Sequence, residues 1–309
     1  MAPSLALEPT PVNDATLVTL FFAKQTSDPV KGLQNFVWTT ENPIPNSVMI
    51  ENSPTNKGRS KLVFKLTING VAYVAKRCYN IGSGSPVSIV DNRDQLIKEG
   101  TTLGCAKFFL DSFKKECESE DIEISEFEVT NFILAREGVD GLIDSFTPSP
   151  ASGIKPSDYT SLPDTEKDEL KTNTAIISSV TWLLEQERGN VQLRKYSRTL
   201  DHPRYSDKQG ATINAFQHFS YCYSNNTLVF ADIQTSESHN LLSKASVLFD
   251  LMSHTLDGKS GAGDHGKEGI TTFVDQHDCV QKYTLMGLKA LSESDEEQED
   301  ASDGGDGSG

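Results

Sequence analysis

The chain has 309 residues, 36% of them apolar, a composition that can build one large domain or two lobes around a buried cleft. No run of about 18 uninterrupted apolar residues is present, so the sequence predicts no membrane-spanning helix and no membrane partner. Residues 291–309 contain eight acids and no base, and the rest of the chain carries −8 of the formal net charge of −16. This tail predicts disorder, and the lack of a basic stripe elsewhere argues against nucleic-acid binding. Five irregularly spaced cysteines favour a reducing compartment, cytoplasmic by default with the nucleus also open.

The N-terminal part of the chain predicts a flexible arm followed by a β-hairpin. Residues 1–30 are rich in Pro, Thr and Ser, with one short strand expected at about Leu17 to Phe22. Apolar residues alternate with polar ones before Asn69-Gly70, a dipeptide typical of a two-residue hairpin turn. Val71 to Lys76 is then expected to form the return strand.

The clearest predicted helix runs from about Arg93 to Cys117. Asp91 or Asn92 can cap its start, and Lys114 and Lys115 suit the negative end of the helix dipole in its last turn. The apolar residues that keep a three-four spacing along it are Leu96, Leu103, Ala106, Leu110 and Phe113.

The remaining elements predict a mixed α+β fold. Residues 138–172 are rich in Pro, Ser, Gly and Asp and predict a surface insertion. The other expected elements are strands at Phe127–Ala135, Val180–Glu185 and Leu228–Ile233 and helices at Ile213–Tyr223 and Gly269–Asp275.

Lys76 is a candidate for phosphate binding. It shares a strand face with Ala72 and Val74, and a lysine on an apolar face needs an anionic partner. Glu99 falls within the apolar stripe of the predicted helix, and a strand lysine paired with a helical glutamate is how kinases aim lysine at ATP phosphates. Two plainer readings stay open: Lys76 on a solvated edge strand, and Glu99 at the margin of the stripe.

A weaker phosphate signal is the turn Gly58-Arg59-Ser60-Lys61 before the first hairpin strand. A glycine followed by basic residues at a strand entry lets backbone N–H groups approach a phosphate. Turns of this composition are also common without any ligand.

Three oxygen-bearing side chains follow in the C-terminal half. Alternation from Leu228 puts Asp232 and Gln234 on one face at the end of a strand. One carboxylate and one amide oxygen suit a phosphate-bound Mg²⁺ and an attacking hydroxyl, and Asp250 can add a second carboxylate. Polar residues also end many ordinary strands, so none of the three is specific alone.

Three motifs in order carry a family resemblance. AFQHFSYCYSNNTLVFADIQ resembles the alpha-kinase pattern A-F-x-H-F-x-Y-x-x-S-x-x-x-L-x-x-x-D-x-Q, and LFDLMSHT is similar to D-P-x-x-H-[ST]. GAGDHGKEGITTFVDQHDC is similar to G-x-G-N-x-G-x-x-G-I-x-x-F-x-x-H-x-C. With the Lys76 strand, the resemblance covers roughly residues 55–290 and is strongest to small single-domain fungal members. It implies an α+β, two-lobed atypical protein-kinase fold with a nucleotide cleft between an N-lobe at about 31–184 and a C-lobe at about 185–290.

The resemblance also implies roles for individual residues. Lys76 would contact the ATP phosphates, Glu185 would lie at the hinge near adenine, and Asp232 would be the catalytic aspartate. Gln234 and Asp250 would hold Mg²⁺. The other nucleotide- or substrate-binding positions would be Gly58, Lys61, Glu99, Gly261, Gly263 and Gly266.

Two departures from the family pattern matter. Thr235 stands where the family has a glycine after the metal ligands. The family's structural zinc is bound by two histidines and two cysteines; His254, His277 and Cys279 match, but Tyr283 occupies the last position and tyrosine is a poor zinc ligand. Either water or another side chain completes the zinc site, or the site is empty and packed around Tyr283.

The leading prediction is an ATP- and Mg²⁺-dependent serine/threonine protein kinase acting on an unidentified protein substrate. The alternative is a pseudokinase, a nucleotide-binding or scaffolding module without significant phosphotransfer, which Thr235 and the altered zinc pattern favour. A zinc hydrolase is disfavoured because the candidate ligands lack a nearby H-x-E or H-E-x-x-H arrangement.

Overall fold

A computed structural model describes residues 14–28, 32–38, 48–82, 84–137, 149–154, 180–189, 191–237 and 245–277. The helices and strands, in chain order, are β1 (Ala15–Val18), β2 (Leu20–Ser27), β3 (Gln34–Trp38), β4 (Val48–Glu51), β5 (Asn56–Lys57), β6 (Lys61–Ile68), β7 (Val71–Cys78), α1 (Ile89–Ser119), β8 (Phe127–Val129), β9 (Phe132–Glu137), β10 (Thr181–Gln186), β11 (Leu193–Lys195), α2 (Lys208–Tyr223), β12 (Leu228–Ala231), β13 (Gln234–Glu237), β14 (Ser246–Phe249), β15 (Met252–Thr255) and α3 (Gly266–Gln276).

The chain divides into two compact units that are discontinuous in sequence. The first unit comprises residues 1–26, 35–100 and 131–187, and the second comprises 27–34, 101–130 and 188–309. The expected lobe boundary at 184/185 lies close to the 187/188 division. Residues 101–130 nevertheless belong to the second unit. The sequence analysis assigned each lobe one continuous stretch and therefore placed these residues in the first lobe.

A large sheet dominates the first unit. Its strand order is β1-β4-β6-β7-β10-β9-β2-β3, with β5 beside β6. Asn69 (φ 49°) and Gly70 (φ 80°) both adopt the left-handed conformation of the expected hairpin turn between β6 and β7. Phe64 packs edge-to-face on Trp182 at 5.6 Å, and both side chains are almost fully buried.

Strands β1 and β2 lie where a flexible arm was expected. Within them Leu20 is 1% exposed, and β2 pairs antiparallel with β9 through Leu20 to Phe22. One short strand was expected at about Leu17 to Phe22, and the structure has two strands over Ala15–Val18 and Leu20–Ser27. Residues 1–13 of the expected arm, most of the 138–172 insertion and the 291–309 tail lie outside the described residues.

Helix α1 confirms the apolar stripe but begins earlier than expected. The Oγ of Ser88 accepts from the N–H of Asp91 at 3.0 Å and donates to the Asp91 carboxylate at 2.7 Å, so Ser88 is the capping residue. Asn92, the other expected cap, is buried; its Oδ1 accepts from Cys78 N and its Nδ2 donates to Thr181 O, each at 2.8 Å. The five predicted stripe residues are at most 3% exposed.

The second unit contains a four-stranded sheet, β11-β13-β14-β8, and a two-stranded sheet, β12-β15. The single strand expected at Phe127–Ala135 is two strands: β8 runs parallel to β14, whereas β9 pairs with β10 in the large sheet. Thr130 ends the first by donating its N–H to Leu248 O at 2.8 Å. Helix α2 begins at Lys208 because Asp207 caps it, accepting from Gly210 N at 3.2 Å.

Candidate functional site

The first unit holds a buried lysine–glutamate pair. Lys76 Nζ lies 2.5 Å from Glu185 Oε1, with side chains 7% and 0% exposed. In the register of β7 and β10, Lys76 is opposite Leu183 and Val74 is opposite Glu185. The two charged residues are therefore diagonal neighbours on one face, within reach of long side chains. Since both are removed from water, each charge needs the other.

A second pair lies beside the first. Lys61 Nζ is 2.5 Å from Glu99 Oε1, with side chains 16% and 10% exposed. A carboxylate oxygen of Glu99 and one of Glu185 lie within 4.8 Å of each other. The four predicted residues Lys61, Lys76, Glu99 and Glu185 are thus brought together in one cluster.

Within this cluster the structure joins Lys76 to Glu185 and Lys61 to Glu99. The sequence analysis proposed a Lys76–Glu99 pair and a place near adenine for Glu185. The register of β7 against β10 decides the observed pairing, and the separate strand patterns do not contain that register.

The Gly58 turn does not match the expected phosphate loop. Gly58 lies between β5 and β6, and its N–H donates to Lys61 O at 2.9 Å, which closes the turn. Its carbonyl accepts from the hydroxyl of Tyr79 at 2.8 Å, and the ammonium of Lys57 lies 4.6 Å from the centre of the Tyr79 ring. The Gly58 N–H is therefore already used within the turn.

The second unit brings the predicted acids together at a break in an antiparallel ribbon. Leu228 pairs with Thr255 and Ala231 with Met252; beyond the break the same register continues with Gln234 opposite Phe249. The register would place residues 232 and 233 opposite 251 and 250. At these positions the pairing stops on both strands.

An aspartate stands at each break. Asp232 has φ 52° and Asp250 has φ 51°, both left-handed. Each is followed by a buried apolar residue, Ile233 at 0% and Leu251 at 3% exposure. Aspartate visits this conformation more readily than most residues, but such backbone costs of order 1 kcal/mol and concentrates at functional sites.

This geometry corrects the expected strand. Leu228–Ile233 was predicted as one extended run that placed Asp232 and Gln234 on the same face, but β12 ends at Ala231 and β13 begins at Gln234. The left-handed residue between them re-aims the chain. Asp232, Gln234 and Asp250 are all partly exposed and lie at neighbouring strand ends.

Lys195 is a site residue that sequence analysis missed. It ends β11, is paired with Gln234, and its Nζ lies 2.6 Å from Asp232 Oδ1. The only signal for it was a lysine in a short strand, which is too common to assign. The ion pair fixes the position of the Asp232 carboxylate.

The glycine-rich loop is organised around Asp264, which sequence analysis also missed. Gly261, Gly263 and Gly266 all have positive φ, and a Cβ on Gly263 would lie 1.9 Å from Met252 Cε. The Asp264 carboxylate accepts hydrogen bonds from Thr255 N, Thr255 Oγ1, Ser260 N, Ser260 Oγ and Gly266 N.

The electrostatics of Asp264 follow from these bonds. Burial raises the pKa of its carboxyl, but hydrogen bonds from Thr255, Ser260 and Gly266 outweigh burial and hold the pKa below its usual value. The loop is therefore built on an ionised carboxylate.

The two described histidines that were expected to bind zinc make different contacts. His254 Nε2 is 2.6 Å from Thr199 O, and its Nδ1 accepts from His265 N at 3.1 Å. Nε2 beside a carbonyl must carry the proton, so neither nitrogen of His254 is open to a metal. His277 Nε2 instead lies 3.0 Å from Nδ1 of His218, a residue that sequence analysis did not assign.

Burial lowers the pKa of His277 to about 3, and the neighbouring His218 and His202 lower it in the same direction. The His277 ring is thus neutral at physiological pH, the form that binds metals. The other two positions of the expected zinc set, Cys279 and Tyr283, lie outside the described residues.

Comparison with known proteins gives a consistent result. A model of the alpha-kinase family matches residues 56–282. Myosin heavy chain kinase B of Dictyostelium discoideum is 29% identical over 109 residues, 35% of this chain, and myosin heavy chain kinase A of the same organism is 35% identical over 79 residues, 25% of this chain. The matched regions span only 14% and 6% of those two proteins.

Solved structures share the fold. An alpha kinase from Entamoeba histolytica superposes with a TM-score of 0.62 at 15% identity, covering 89% of this chain and 92% of that one. The alpha-kinase domain of myosin heavy chain kinase A in complex with AMPPCP gives 0.54 at 16% identity, covering 90% and 98%. These likenesses confirm the predicted α+β kinase-type fold. Among the described residues, no helix has the length and apolar character needed to cross a membrane.

Proposed function

Because the chain belongs to the alpha-kinase family, we propose that it is a serine/threonine protein kinase that transfers the γ-phosphoryl group of ATP to a protein hydroxyl. The observation that carries the proposal is the ribbon break, which sets Asp232 and Asp250 in left-handed conformations next to Gln234. Aspartates in strained backbone conformations cost free energy, and such strain concentrates at functional sites.

Asp232 is the proposed catalytic residue. Its carboxylate accepts the proton of the substrate hydroxyl while that oxygen forms a bond to the γ-phosphorus and the bond to the bridging oxygen of ADP breaks. Lys195, whose Nζ lies 2.6 Å from Oδ1, holds the carboxylate in place for this role. Since the transition state forms few covalent contacts with the protein, positioning and charge stabilisation account for most of the rate.

The lysines of the first unit are the proposed phosphate ligands. Lys76 and Lys61 are the cations of the buried cluster, and each is held by a glutamate. Phosphate oxygens would compete with Glu185 and Glu99 for these ammonium groups. Support for ATP as the substrate also comes from the related domain of myosin heavy chain kinase A, which was solved with AMPPCP and with AMP-PNP.

Gln234 and Asp250 are the side chains that would hold Mg²⁺. They supply one amide and one carboxylate oxygen from directly adjacent positions, since Phe249, which precedes Asp250, is opposite Gln234. Hard oxygen donors of this kind are what Mg²⁺ requires, and the ion would neutralise charge on the ATP phosphates.

Zinc fits only part of the expected ligand set. His254 does not fit, because both of its ring nitrogens are used in hydrogen bonds. His218 and His277 do fit, with neighbouring ring nitrogens from α2 and from the residue after α3. A structural zinc there, with Cys279 as a further ligand, would stabilise the second unit and take no part in phosphoryl transfer.

One argument for the pseudokinase alternative, the replacement of the family's glycine by Thr235, finds no support in the strand. The side chain is 4% exposed and sits in regular pairing with Arg194 and Leu248. β-branched residues are favoured in such a strand, so threonine in place of the family's glycine leaves the ribbon intact.

The test is transfer of radiolabelled phosphate from ATP with Mg²⁺ to a mixed basic protein substrate. Asp232→Asn should lower turnover at least about 100-fold, on the scale of removing one charge-stabilising group. Asp275→Asn, the same change at an exposed position of α3, is the matched control and should be unaffected. Absence of transfer by the wild-type protein, with ATP binding still measurable by calorimetry, would replace the kinase proposal by the pseudokinase alternative.

A further inference from the structure

The break at Asp232 leaves backbone groups that the ribbon no longer pairs. β12 ends at Ala231 and β13 begins at Gln234, so residues 232 and 233 have no strand partner. Ile233 is fully buried, and a buried N–H or C=O without a partner costs about 1–3 kcal/mol. Something other than the ladder must therefore satisfy these groups.

The segment after β11 supplies the missing partners. Arg198 O accepts from Asp232 N at 3.2 Å, and Ile233 O accepts from Tyr196 N at 2.8 Å and from Ser197 N at 3.3 Å. Three of the four bonds are backbone to backbone, so substitution cannot remove them selectively.

Ser197 provides the fourth bond and does so with its side chain. Its Oγ accepts from Ile233 N at 2.9 Å, and the serine is 2% exposed. Within the described part of the chain, it is the side chain that fixes the backbone directly after Asp232. Lys195, two residues before it, contacts the Asp232 carboxylate itself.

From this arrangement we propose that Ser197 is a positioning residue for phosphoryl transfer. It holds the left-handed break through Ile233, and so fixes the direction in which the Asp232 carboxylate points. This role rests on the proposed function, since it acts through the proposed catalytic aspartate. Ser197 itself touches neither ATP nor the protein substrate in the proposed reaction.

Ser236 offers a matched control. It is also 2% exposed, lies in β13 of the same unit, and its Oγ has no hydrogen-bond partner among the residues that the structure describes. Replacing either serine by alanine removes one buried hydroxyl. Only at Ser197 does the substitution also remove a hydrogen bond to the break.

The kinetic test compares Ser197→Ala with Ser236→Ala in the full chain. Ser197→Ala should lower kcat about 10-fold and leave KM for ATP within about twofold, because misaligning a catalytic group impairs the chemical step and not nucleotide binding. Ser236→Ala should match the wild type. Near-normal kcat in Ser197→Ala, an equal loss in Ser236→Ala, or a change confined to KM would each overturn the positioning role.

A second measurement does not depend on kinase activity. Amide hydrogen exchange at Ile233 should be faster by about 10-fold or more in Ser197→Ala and unchanged in Ser236→Ala. Unchanged exchange at Ile233 in Ser197→Ala would overturn the proposal. If Ser197→Ala does not fold, Ser197→Cys carries the same expectation, since a thiol of similar volume is a weak acceptor.

The two proposals can fail separately. If the wild-type protein transfers no phosphate, while Ile233 exchanges faster in Ser197→Ala, the kinase function is overturned. The hydrogen bond by which Ser197 holds the backbone at Ile233 is then still supported. Transfer that depends on Asp232 but not on Ser197 would keep the kinase and overturn the positioning role.

Discussion

The Lys76–Glu185 pair should be strongly coupled in its contribution to stability. Lys76→Met would leave the Glu185 carboxylate, 0% exposed, without the ammonium now 2.5 Å away. Removing one partner of a buried pair costs about 3–5 kcal/mol, because the balance of charge in the buried cluster is lost. The carboxylate of Glu99 within 4.8 Å adds repulsion between the two acids.

Replacing both partners should be much less harmful. Lys76→Met/Glu185→Leu removes both charges and leaves apolar side chains of similar volume, a change that is often neutral or costs about 1 kcal/mol. Each single variant should therefore be less stable than the double variant by about 2–4 kcal/mol, and the coupling energy of the pair should exceed that difference. The exposed pair Lys65–Glu187, at 3.1 Å and with side chains 45% and 27% exposed, serves as the control. Its coupling energy should be much smaller than that of the buried pair, since surface pairs are screened by water.

The assay is a double-mutant cycle of unfolding free energies, measured in denaturant without nucleotide. The single variants at Lys76 and Glu185 should each be less stable than the double variant. Additive effects, with a coupling energy under about 0.5 kcal/mol, would refute the reasoning. Such a result would mean that the pair is not formed in solution and that Lys76 awaits its phosphate ligand without a bound glutamate.

Two further predictions concern the loop and the helix. The folded-state pKa of Asp264 lies below its ordinary value of 3.8, so the stabilising contribution of the carboxylate is complete above pH 3.8 and is lost as the pH falls through the folded pKa. The melting temperature should therefore fall more steeply in acid for the wild type than for Asp264→Asn. Parallel curves for the two proteins would contradict this role of the carboxylate. Asn92→Ala should lower the free energy of unfolding by about 2 kcal/mol, because loss of its two 2.8 Å hydrogen bonds would leave Cys78 N and Thr181 O unsatisfied. Asp94→Ala on the exposed face of α1 is the control. Equal losses of stability in the two variants would contradict the assignment.

Local sequence patterns were sufficient where one element determined the outcome. The stripe of α1 includes Leu96 and Phe113, both fully buried, because a helix has only one way to present a three-four repeat. The Asn69-Gly70 turn likewise follows from the backbone preferences of two residues. In both cases the information is contained within a few neighbouring positions.

Patterns failed where the position of a side chain depends on a second element. The partner of Lys76 is fixed by the register of β7 against β10, and the residue beside His277 is fixed by the packing of α2. Lys195 reaches Asp232 because β11 pairs with β13. No spacing in the sequence encodes these contacts, so sequence patterns alone could not give the partner of each side chain.

The ribbon break explains why alternation misjudged Asp232. Period two assumes an extended backbone, and under that assumption every second side chain points the same way. Here the register is identical on both sides of the break, so the strain of the two left-handed aspartates is confined to the two unpaired residues on each strand. The buried residues Ile233 and Leu251 anchor each strand immediately after its aspartate. A continuous ladder would give both strands more hydrogen bonds, yet it would return Asp232 and Asp250 to the alternating pattern. The interruption therefore trades a small amount of stability for the placement of two carboxylates, which is the expected signature of a reactive site within an otherwise regular sheet.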